Sequence, residues 1–343
     1  MCDFMKRLTT ILTILTFTVW TNLYGQTIRP EIEKIVKGIA KDNVLKSSGV
    51  GIAGAKTDQW DRYISLKTKA TNEELISLTD NENGVVRCYS FQALATRKNI
   101  DLLPILTKHL TDTTTITTFQ GCIISDQMVG DFFIDVVTPN YIDLDAYKLT
   151  ENERQQIDSI LIFDKNIRLS AKSEVLGKLK PKEKYYNRVR EIVIEEKNNN
   201  GLIALSKFQN QQDKEFIIER LNSNKTDIQY YGLQSIIYFP DSSFFSHLKD
   251  IHKVEIKKPT GFNYSLIRTL YQAIVQYKNI QSRELLEQTL NLTKGSTFQY
   301  HSEFIWLALE LYPDPIYEGI QGRIKLSDYK RSDLQYWVDN KDR

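Results

Sequence analysis

The sequence predicts an all-α protein, an α/α superhelix built from about five to six helix hairpins. Apolar residues recur at helical spacing from residue 59 onward. Pairs of such segments, joined by polar turns, follow one another along the chain. The first helices of the later pairs begin near residues 182, 213, 242 and 282, and this spacing of about 29 to 40 residues is typical of stacked helical repeats. Strand signals are weak, because no Asn-Gly dipeptide joins two alternating runs.

Length and composition are those of an ordinary globular protein. The 343 residues are 41% hydrophobic and 26% charged, and the net charge is +2. This balance does not fit a nucleic-acid-binding protein, which usually carries a basic face. The basic run KLKPKEKYYNRVR at 178–190 is interpreted as a solvated helix start, because EIVIEEK supplies balancing acids directly after it. We therefore expect no nucleic-acid partner.

Residues 1–25 have the layout of a secretory signal peptide. The short basic start MCDFMKR is followed by LTTILTILTFTVWTNLYG, which has no charged residue, and then by the polar QTIRPEIEK. We place cleavage between Gly25 and Gln26. The alternative is an uncleaved membrane anchor, although its threonines make the segment weakly hydrophobic for a bilayer span, and membrane contact is expected only in that case. The sequence thus predicts an exported chain, periplasmic or extracellular, whose residues 26–58 form an N-terminal extension.

Residues 59–139 form the first predicted repeat block. In ATNEELISLTD, either Thr71 or Asn72 can cap a helix, and the acids that follow suit the positive end of the helix dipole. The turn DNENG then breaks this helix. A second helix at 85–95 is apolar on most sides, as expected for a helix packed between layers.

The tripeptide LTD marks a repeat within this block. It stands at residues 78–80 and recurs at 110–112, 32 residues later. The helix before the second copy, LLPILTKHL, carries Pro104 in its first turn, where proline is tolerated. DQMVGDFFIDVVT is predicted to be its partner helix, ended by Pro139.

Residues 140–343 are predicted to be further helical hairpins, either continuous with the first block or packed on it. Thr150 and Glu153 form a capping box at the start of a helix over 149–162. Four pairs follow: KEKYYNRVREIVIEE with NNNGLIALSKFQ, DKEFIIERLNS with DIQYYGLQSIIYFP, SSFFSHLKDIHKVEI with GFNYSLIRTLYQAIVQYK, and SRELLEQTLNLTK with HSEFIWLALELY.

The segment NENGVVRCYSFQALA, preceded by Asp80 and opened by Val86 and Arg87, resembles a HEAT repeat. The block from about Gly49 to Pro139 is similar to the N-terminal part of exported, uncharacterised bacterial HEAT-like repeat proteins, through VVRCYSFQAL, LLPILTKHLTDTTT and GCIISDQMVGDFF. The resemblance implies an α-solenoid that serves as a scaffold and recognition surface. It brings no catalytic residues with it.

The resemblance also implies a structural ladder of Asp80 and Arg87 between neighbouring repeats. Arg87 is expected to reach Asp80 or the backbone carbonyls of the preceding repeat. Such a partly buried pair fixes register more than it adds stability. Cys88, next to it, is expected to face the seam between helices as a small apolar residue.

Cys88 and Cys122 remain after removal of the signal peptide, because Cys2 leaves with it. In an exported chain they can form a disulfide, and the alternative is two buried thiols. Neither is expected to be a nucleophile, which would need a histidine positioned as its base.

The threonine-rich run TDTTTITTFQGC is the best candidate for a binding loop. Loops on one face are where repeat proteins bind their ligands. The alternative is an insertion whose hydroxyl groups bond their own backbone. The residues assigned to this loop are Thr113, Thr114, Thr115, Gln120 and Gly121.

No motif in the sequence predicts catalysis, a cofactor or a metal. His247 and His252 are five apart, whereas a helical metal pair needs four. Asp131 and Asp135 are four apart and are interpreted as an exposed helix edge. We therefore expect a non-catalytic binding or scaffold protein of the cell envelope that recognises a protein or an envelope polymer. The alternative is an envelope enzyme that acts on a glycan, which would require converging acids or a His-acid pair in a pocket.

Overall fold

The chain is mostly helical and divides into two compact units, Met1–Lys172 and Ser173–Arg343. The prediction of an all-α superhelical arrangement is confirmed, because consecutive helices pack on one another. No described helix combines the length and the apolar character needed to cross a membrane. The computed structural model describes residues 28–138, 145–258, 261–292 and 297–340. The predicted signal peptide and its cleavage site lie outside these residues.

The first unit contains seven described helices and a small sheet, and an eighth helix begins near its end. In chain order the elements are α1 (Pro30–Asp42), β1 (Val44–Val50), α2 (Asp58–Lys69), α3 (Asn72–Leu78), α4 (Gly84–Ala95), α5 (Leu103–Lys108), β2 (Thr115–Gly121), β3 (Ile123–Met128), α6 (Val129–Val136), α7 (Glu151–Phe163) and α8 (Ser170–Lys178).

Helix α4 is the centre of the first unit. Thr71 caps the preceding helix α3 through a capping box with Glu74, and Asn83 caps α4 by accepting from the amide of Val86 at 3.1 Å. Every residue of α4 is buried, and the helix contacts α1, α2, α3 and α6. The expectation of a helix packed between layers is confirmed.

A three-stranded sheet stands where a threonine-rich loop was predicted. β1 pairs in parallel with β2, and β2 pairs antiparallel with β3. Gly121, with φ of 54°, and Cys122 form the two-residue turn between β2 and β3, and glycine suits the first turn position. In β2, Ile116 and Thr118 are buried while their neighbours are less so, which is the alternation of a half-buried strand. The sequence shows this alternation only weakly, because threonines occupy both the buried and the less buried positions.

Residues 28–58, the described part of the predicted N-terminal extension (residues 26–58), belong to the core of the first unit. Helix α1 begins at Pro30, where the fixed φ of proline suits the first turn, and it ends at Asn43 in the left-handed region with φ of 54°. Ile32 and Ile39 are buried, and α1 packs on α2. Strand β1 then adds to the sheet.

The first unit also extends beyond the predicted boundary at residue 139. Asp131 on α6 accepts from the backbone amides of Ser170 and Ala171 at 3.1 and 2.9 Å. Gly130 packs closely on Leu169. These contacts join residues 169–171, at the start of α8, to the first block, and the boundary between the two units lies at residue 172.

The second unit continues with helical hairpins. Its remaining helices are α9 (Glu183–Glu195), α10 (Asn199–Ser206), α11 (Lys214–Leu221), α12 (Thr226–Tyr238), α13 (Phe245–Glu255), α14 (Tyr264–Val275), α15 (Ile280–Leu290), α16 (Phe298–Leu311) and α17 (Asp328–Asp339).

These helices stack as an α-solenoid does. Each first helix packs on its own partner: α9 on α10, α11 on α12, α13 on α14 and α15 on α16. The second helices α10, α12, α14 and α16 contact one another in succession and form one row. All four predicted pairs are therefore present in the described part of this unit. Helix α17, which was not predicted, packs on α16.

Candidate functional site

Arg87 ties the turn before α4 to the next helix pair. Its Nη1 donates to the carbonyls of Asn81 at 2.6 Å and Glu82 at 3.1 Å. Its Nε lies 2.9 Å from Oδ2 of Asp112, and the two side chains are only 10% and 15% exposed. These carbonyls belong to the turn directly before α4, not to the preceding repeat as predicted. The acid that pairs with Arg87 is Asp112, not the predicted Asp80.

Asp80 is connected to Asp112 through His109. It accepts from Nζ of Lys108 at 2.6 Å and lies 3.3 Å from Nε2 of His109. The other nitrogen of His109, Nδ1, lies 3.5 Å from Asp112. Burial lowers the pKa of His109, although both carboxylates oppose this effect. The two acids are the last residues of the two LTD tripeptides, and His109 lies between them.

The two cysteines are free thiols, so the predicted disulfide is not formed. Cys88 is buried inside α4, where burial raises the pKa of its thiol and makes it unreactive. Cys122 is exposed at the turn between β2 and β3, which corrects the alternative of two buried thiols. The thiols cannot pair because one is enclosed by helices and the other lies at the tip of a hairpin.

The residues of the predicted binding loop follow one another along a strand and do not converge on a pocket. Thr115 is opposite Met128, Gln120 is opposite Ile123, and Gly121 is opposite Val50. The threonines deeper in β2 bond within the hairpin, as the alternative reading expected: Oγ1 of Thr117 donates to Asp126 and that of Thr118 to the Ser125 carbonyl. Thr113 and Thr114 precede the strand.

The other paired candidates are structural. Asp131 is buried and accepts from the first amides of α8, and the half-buried Asp135 accepts from Nε2 of Gln127, so the prediction of an exposed helix edge is wrong. His252 is buried, whereas His247 is half-buried at a cleft. Among the described residues, no group of three His, Cys, Asp or Glu side chains can hold a metal ion.

A cluster of partly exposed aromatic rings crosses the row of second helices in the second unit. We call Phe262, Tyr264, Tyr300 and Phe304 the aromatic surface. Tyr264 opens α14 with Phe262 just before it, while Tyr300 and Phe304 lie one turn apart on the neighbouring α16. The ring centroids of Tyr264 and Tyr300 are 4.9 Å apart at 82°, and those of Phe262 and Tyr264 are 4.9 Å apart at 71°. Edge-to-face contacts of this kind hold the rings in fixed orientations.

A cation extends the aromatic surface toward α17. Arg268 lies one turn after Tyr264, and its guanidinium carbon is 4.3 Å from the ring centroid of Trp337. Tyr264 and Trp337 are 51% and 48% exposed, so large apolar rings meet water here. A hydrogen bond with Tyr300 raises the pKa of the Tyr264 hydroxyl. These groups suit stacking and hydrogen bonding.

A buried polar network lies beneath the aromatic surface. The hydroxyl of Tyr271 on α14 is 2.7 Å from Nδ1 of His301 on α16 and 3.4 Å from Oγ1 of Thr289. Thr289 also lies 2.7 Å from Nε2 of His252 on α13. Burial lowers the pKa of both histidines to about 4, so they are neutral at pH 7. The ring of His301 meets that of Phe262 edge-on at 5.4 Å, which connects the network to the aromatic surface.

Two of the clefts formed by the described residues lie in the second unit. The larger, about 570 Å³, follows α16 and is lined by Pro313, Asp314, Tyr317 and Glu318 among others. The smaller, about 190 Å³, lies between α11, α12 and α13 and is lined partly by His247, Asp250 and Glu255. Only the smaller cleft brings a histidine and acids together.

Comparisons with protein-family models, with curated proteins and with solved structures found no match. The aromatic surface was not predicted from the sequence. Its signal was a pair of residues four apart at matching places of successive second helices, Tyr264 with Arg268 and Tyr300 with Phe304.

Proposed function

We propose that this chain is a non-catalytic recognition protein of the cell envelope that binds a protein or an envelope polymer through the aromatic surface. The observation that carries the proposal is the set of four contacting, partly exposed rings at the neighbouring helices α14 and α16, with Arg268 and Trp337 nearby. Exposed apolar patches on a folded protein mark interaction sites. Tyr, Trp and Arg are also the residue types that dominate binding energy at interfaces.

The chemistry of the surface favours binding over catalysis. A catalytic site needs an acid, base or nucleophile within reach of a substrate. His301, the nearest histidine, is buried and hydrogen-bonded to Tyr271. The groups that face solvent offer π faces, hydroxyls and one guanidinium, which recognise a ligand without changing it.

The stacking of hairpins supports a scaffold role. Each second helix packs on the next, so side chains at matching positions of α14 and α16 keep a fixed spacing. The buried network of Tyr271, Thr289 and His301 joins these helices below the rings. A rigid support of this kind lowers the entropy cost of binding. Membership of the HEAT-like exported proteins is part of the proposal, through the resemblance of residues 49–139, and export is proposed from residues 1–25.

A capture experiment tests the proposal. The chain from residue 26, immobilised on resin, is incubated with solubilised envelope from its own source, and retained proteins and glycans are identified. The test variant carries Tyr264→Ala and Tyr300→Ala. The control is Tyr329→Ala, which removes a more exposed ring two turns from Trp337 on α17.

We expect a retained component that is lost with the double variant and kept with the control, while all three chains melt at similar temperatures. Equal retention by wild type and the double variant would refute a role for the aromatic surface. Retention lost equally with Tyr329→Ala would mean general adhesion of aromatic rings.

A second candidate function, an envelope enzyme acting on a glycan, has one observation in its favour. The smaller cleft holds Asp250 and Glu255 beside His247, and paired carboxylates are the groups that glycoside hydrolysis uses. Two facts rank it lower. Its volume, about 190 Å³, is below the roughly 300–1,000 Å³ of small-molecule sites, and Glu255 is ion-paired with Lys258. Release of reducing ends from envelope glycan by wild type, abolished by Asp250→Asn, would support it, and no release by wild type would remove it.

A further inference from the structure

The sheet of the first unit has two edges, and the outer edge of β1 is closed. The hydroxyl of Tyr89 on α4 accepts from the amide of Lys46 at 2.8 Å and donates to its carbonyl at 2.8 Å. Nε2 of Gln59 on α2 donates to the carbonyl of Val44 at 3.1 Å. Tyr89 and Gln59 are fully buried. Side chains from two helices thus replace the hydrogen bonds that another strand would make.

The outer edge of β3 has no such cover in the described part of the chain. The main contacts of β3 are with β2 and with α6, which follows it directly. Ile123 and Ile124 are 69% and 65% exposed, and Cys122, Ser125 and Asp126 are exposed too. An uncovered strand edge with apolar side chains is a template for pairing with another strand.

More apolar surface lies at the tip of this hairpin. The amide of Gly51 donates to the carbonyl of Gly121 at 2.8 Å, so the turn after β1 lies against the turn between β2 and β3. Ile52 in that turn is fully exposed. Three isoleucines therefore face water near one end of the open edge.

The sequence of β3, IISDQM, contains only one residue of the kinds that usually block edge pairing, Asp126. It has no lysine, arginine or proline. Its one charge, on Asp126, accepts a hydrogen bond from Thr117 on β2 at 3.0 Å. With a net chain charge of only +2, long-range repulsion between two copies is small.

We propose that β3 is a self-association surface, on which β3 of a second copy pairs antiparallel to extend the sheet across a two-fold axis. An antiparallel edge is self-complementary under such an axis, so one surface serves both copies. Centred on Ile124, the pairing sets the Ile124 residues of the two copies opposite each other, Ile123 opposite Ser125 and Cys122 opposite Asp126. No carboxylate then faces another, and each exposed Ile124 gains an apolar neighbour.

This arrangement has a consequence for Cys122. In the centred register the two Cys122 residues lie at opposite ends of the paired strands, so no disulfide links the copies. The association is therefore insensitive to a reducing agent, which separates it from dimerisation through the free thiol.

Sedimentation equilibrium of the chain from residue 26, over a range of concentrations and with and without dithiothreitol, tests the proposal. The edge variant is Ile124→Lys, because lysine on an edge strand opposes pairing. The matched control is Ile280→Lys, at a residue 66% exposed at the start of α15 in the second unit. Circular dichroism melting confirms that each variant folds.

We expect the mass of wild type and of Ile280→Lys to rise toward twice that of one chain as concentration increases, with or without reductant. The dissociation constant of Ile124→Lys should be at least tenfold weaker. Amide hydrogen exchange in residues 123–128 of wild type should slow as concentration rises. A wild type that stays monomeric, an Ile124→Lys variant that associates like wild type, or a dimer lost on reduction would each overturn the proposal.

Discussion

Arg87→Ala is expected to lower the free energy of unfolding of the first unit by about 3 kcal/mol. Removing one partner of a buried ion pair costs about 3–5 kcal/mol, because the remaining charge is left without compensation. Asp112 also accepts from the amide of Thr114 at 3.1 Å and keeps 15% exposure, which places the cost at the lower end. The lost bonds to the carbonyls of Asn81 and Glu82 loosen the turn before α4 as well.

The measurement is thermal unfolding by circular dichroism and calorimetry. For a unit of this size about 3 kcal/mol corresponds to a fall in Tm of about 6–12 °C. The control is Lys108→Ala, which breaks the exposed pair with Asp80 and should change stability by less than about 1 kcal/mol. Asp112→Ala, alone and with Arg87→Ala, completes a double-mutant cycle whose coupling energy should be about 2 kcal/mol.

Two results would refute the reasoning. An unchanged melting curve for Arg87→Ala would mean that the buried pair does not support the fold. A coupling energy near zero between Arg87 and Asp112 would mean that the loss comes from the turn carbonyls alone.

Three further predictions concern acid stability, thiols and glycines. The folded-state pKa of His252 and of His301 lies near 4, below the ordinary 6.5, so the unfolded chain binds protons first as pH falls. The free energy of unfolding, measured in urea, should therefore fall between about pH 6.5 and pH 4 by up to about 3 kcal/mol per histidine. A flat pH profile would contradict this. Titration of the chain from residue 26 with Ellman's reagent should count one reactive thiol when folded, Cys122, and two when denatured; none in the folded state would contradict the assignment. Gly130→Ala should destabilise by about 1–3 kcal/mol in chemical denaturation, since a Cβ would lie 2.7 Å from a backbone carbonyl, whereas Gly177→Ala, with no atom nearer than 4.0 Å, should be neutral or stabilising; equal effects would contradict the packing.

The helices could be predicted because their signals are local. Thr71 and Thr150 both form the capping boxes that their sequences indicate. The second helices of the later pairs are apolar enough to identify as buried. Local patterns of period 3.6 and polar turns were therefore enough to give the hairpins and their order.

The sheet could not be predicted from local signals. The parallel partner of Val44 is Thr117, more than seventy residues away, and no local pattern specifies such a pairing. The Gly121 turn was a hairpin signal, yet the threonines around it also fit a polar loop. Choosing between the two needed the exposed or buried state of alternate side chains, which depends on the helices packed against the sheet.

The candidate site was less predictable than the fold. Tyr264 and Tyr300 are 36 residues apart in the sequence, and their contact exists only because α14 and α16 are neighbours in the row. The acid assigned to Arg87, Asp80, came from the resemblance to HEAT repeats and is not the one it pairs with. The actual partner, Asp112, is brought close by the packing of the next helix pair.

The row of second helices also sets a length scale for whatever crosses it. Packed helix axes lie about 8–10 Å apart, and an extended peptide advances about 3.3 Å per residue. A ligand laid across the row from Tyr230 on α12 to Tyr264 on α14 and Tyr300 on α16 would thus meet a new helix at about every third residue. Each added hairpin lengthens this row by one helix spacing without altering the spacings before it.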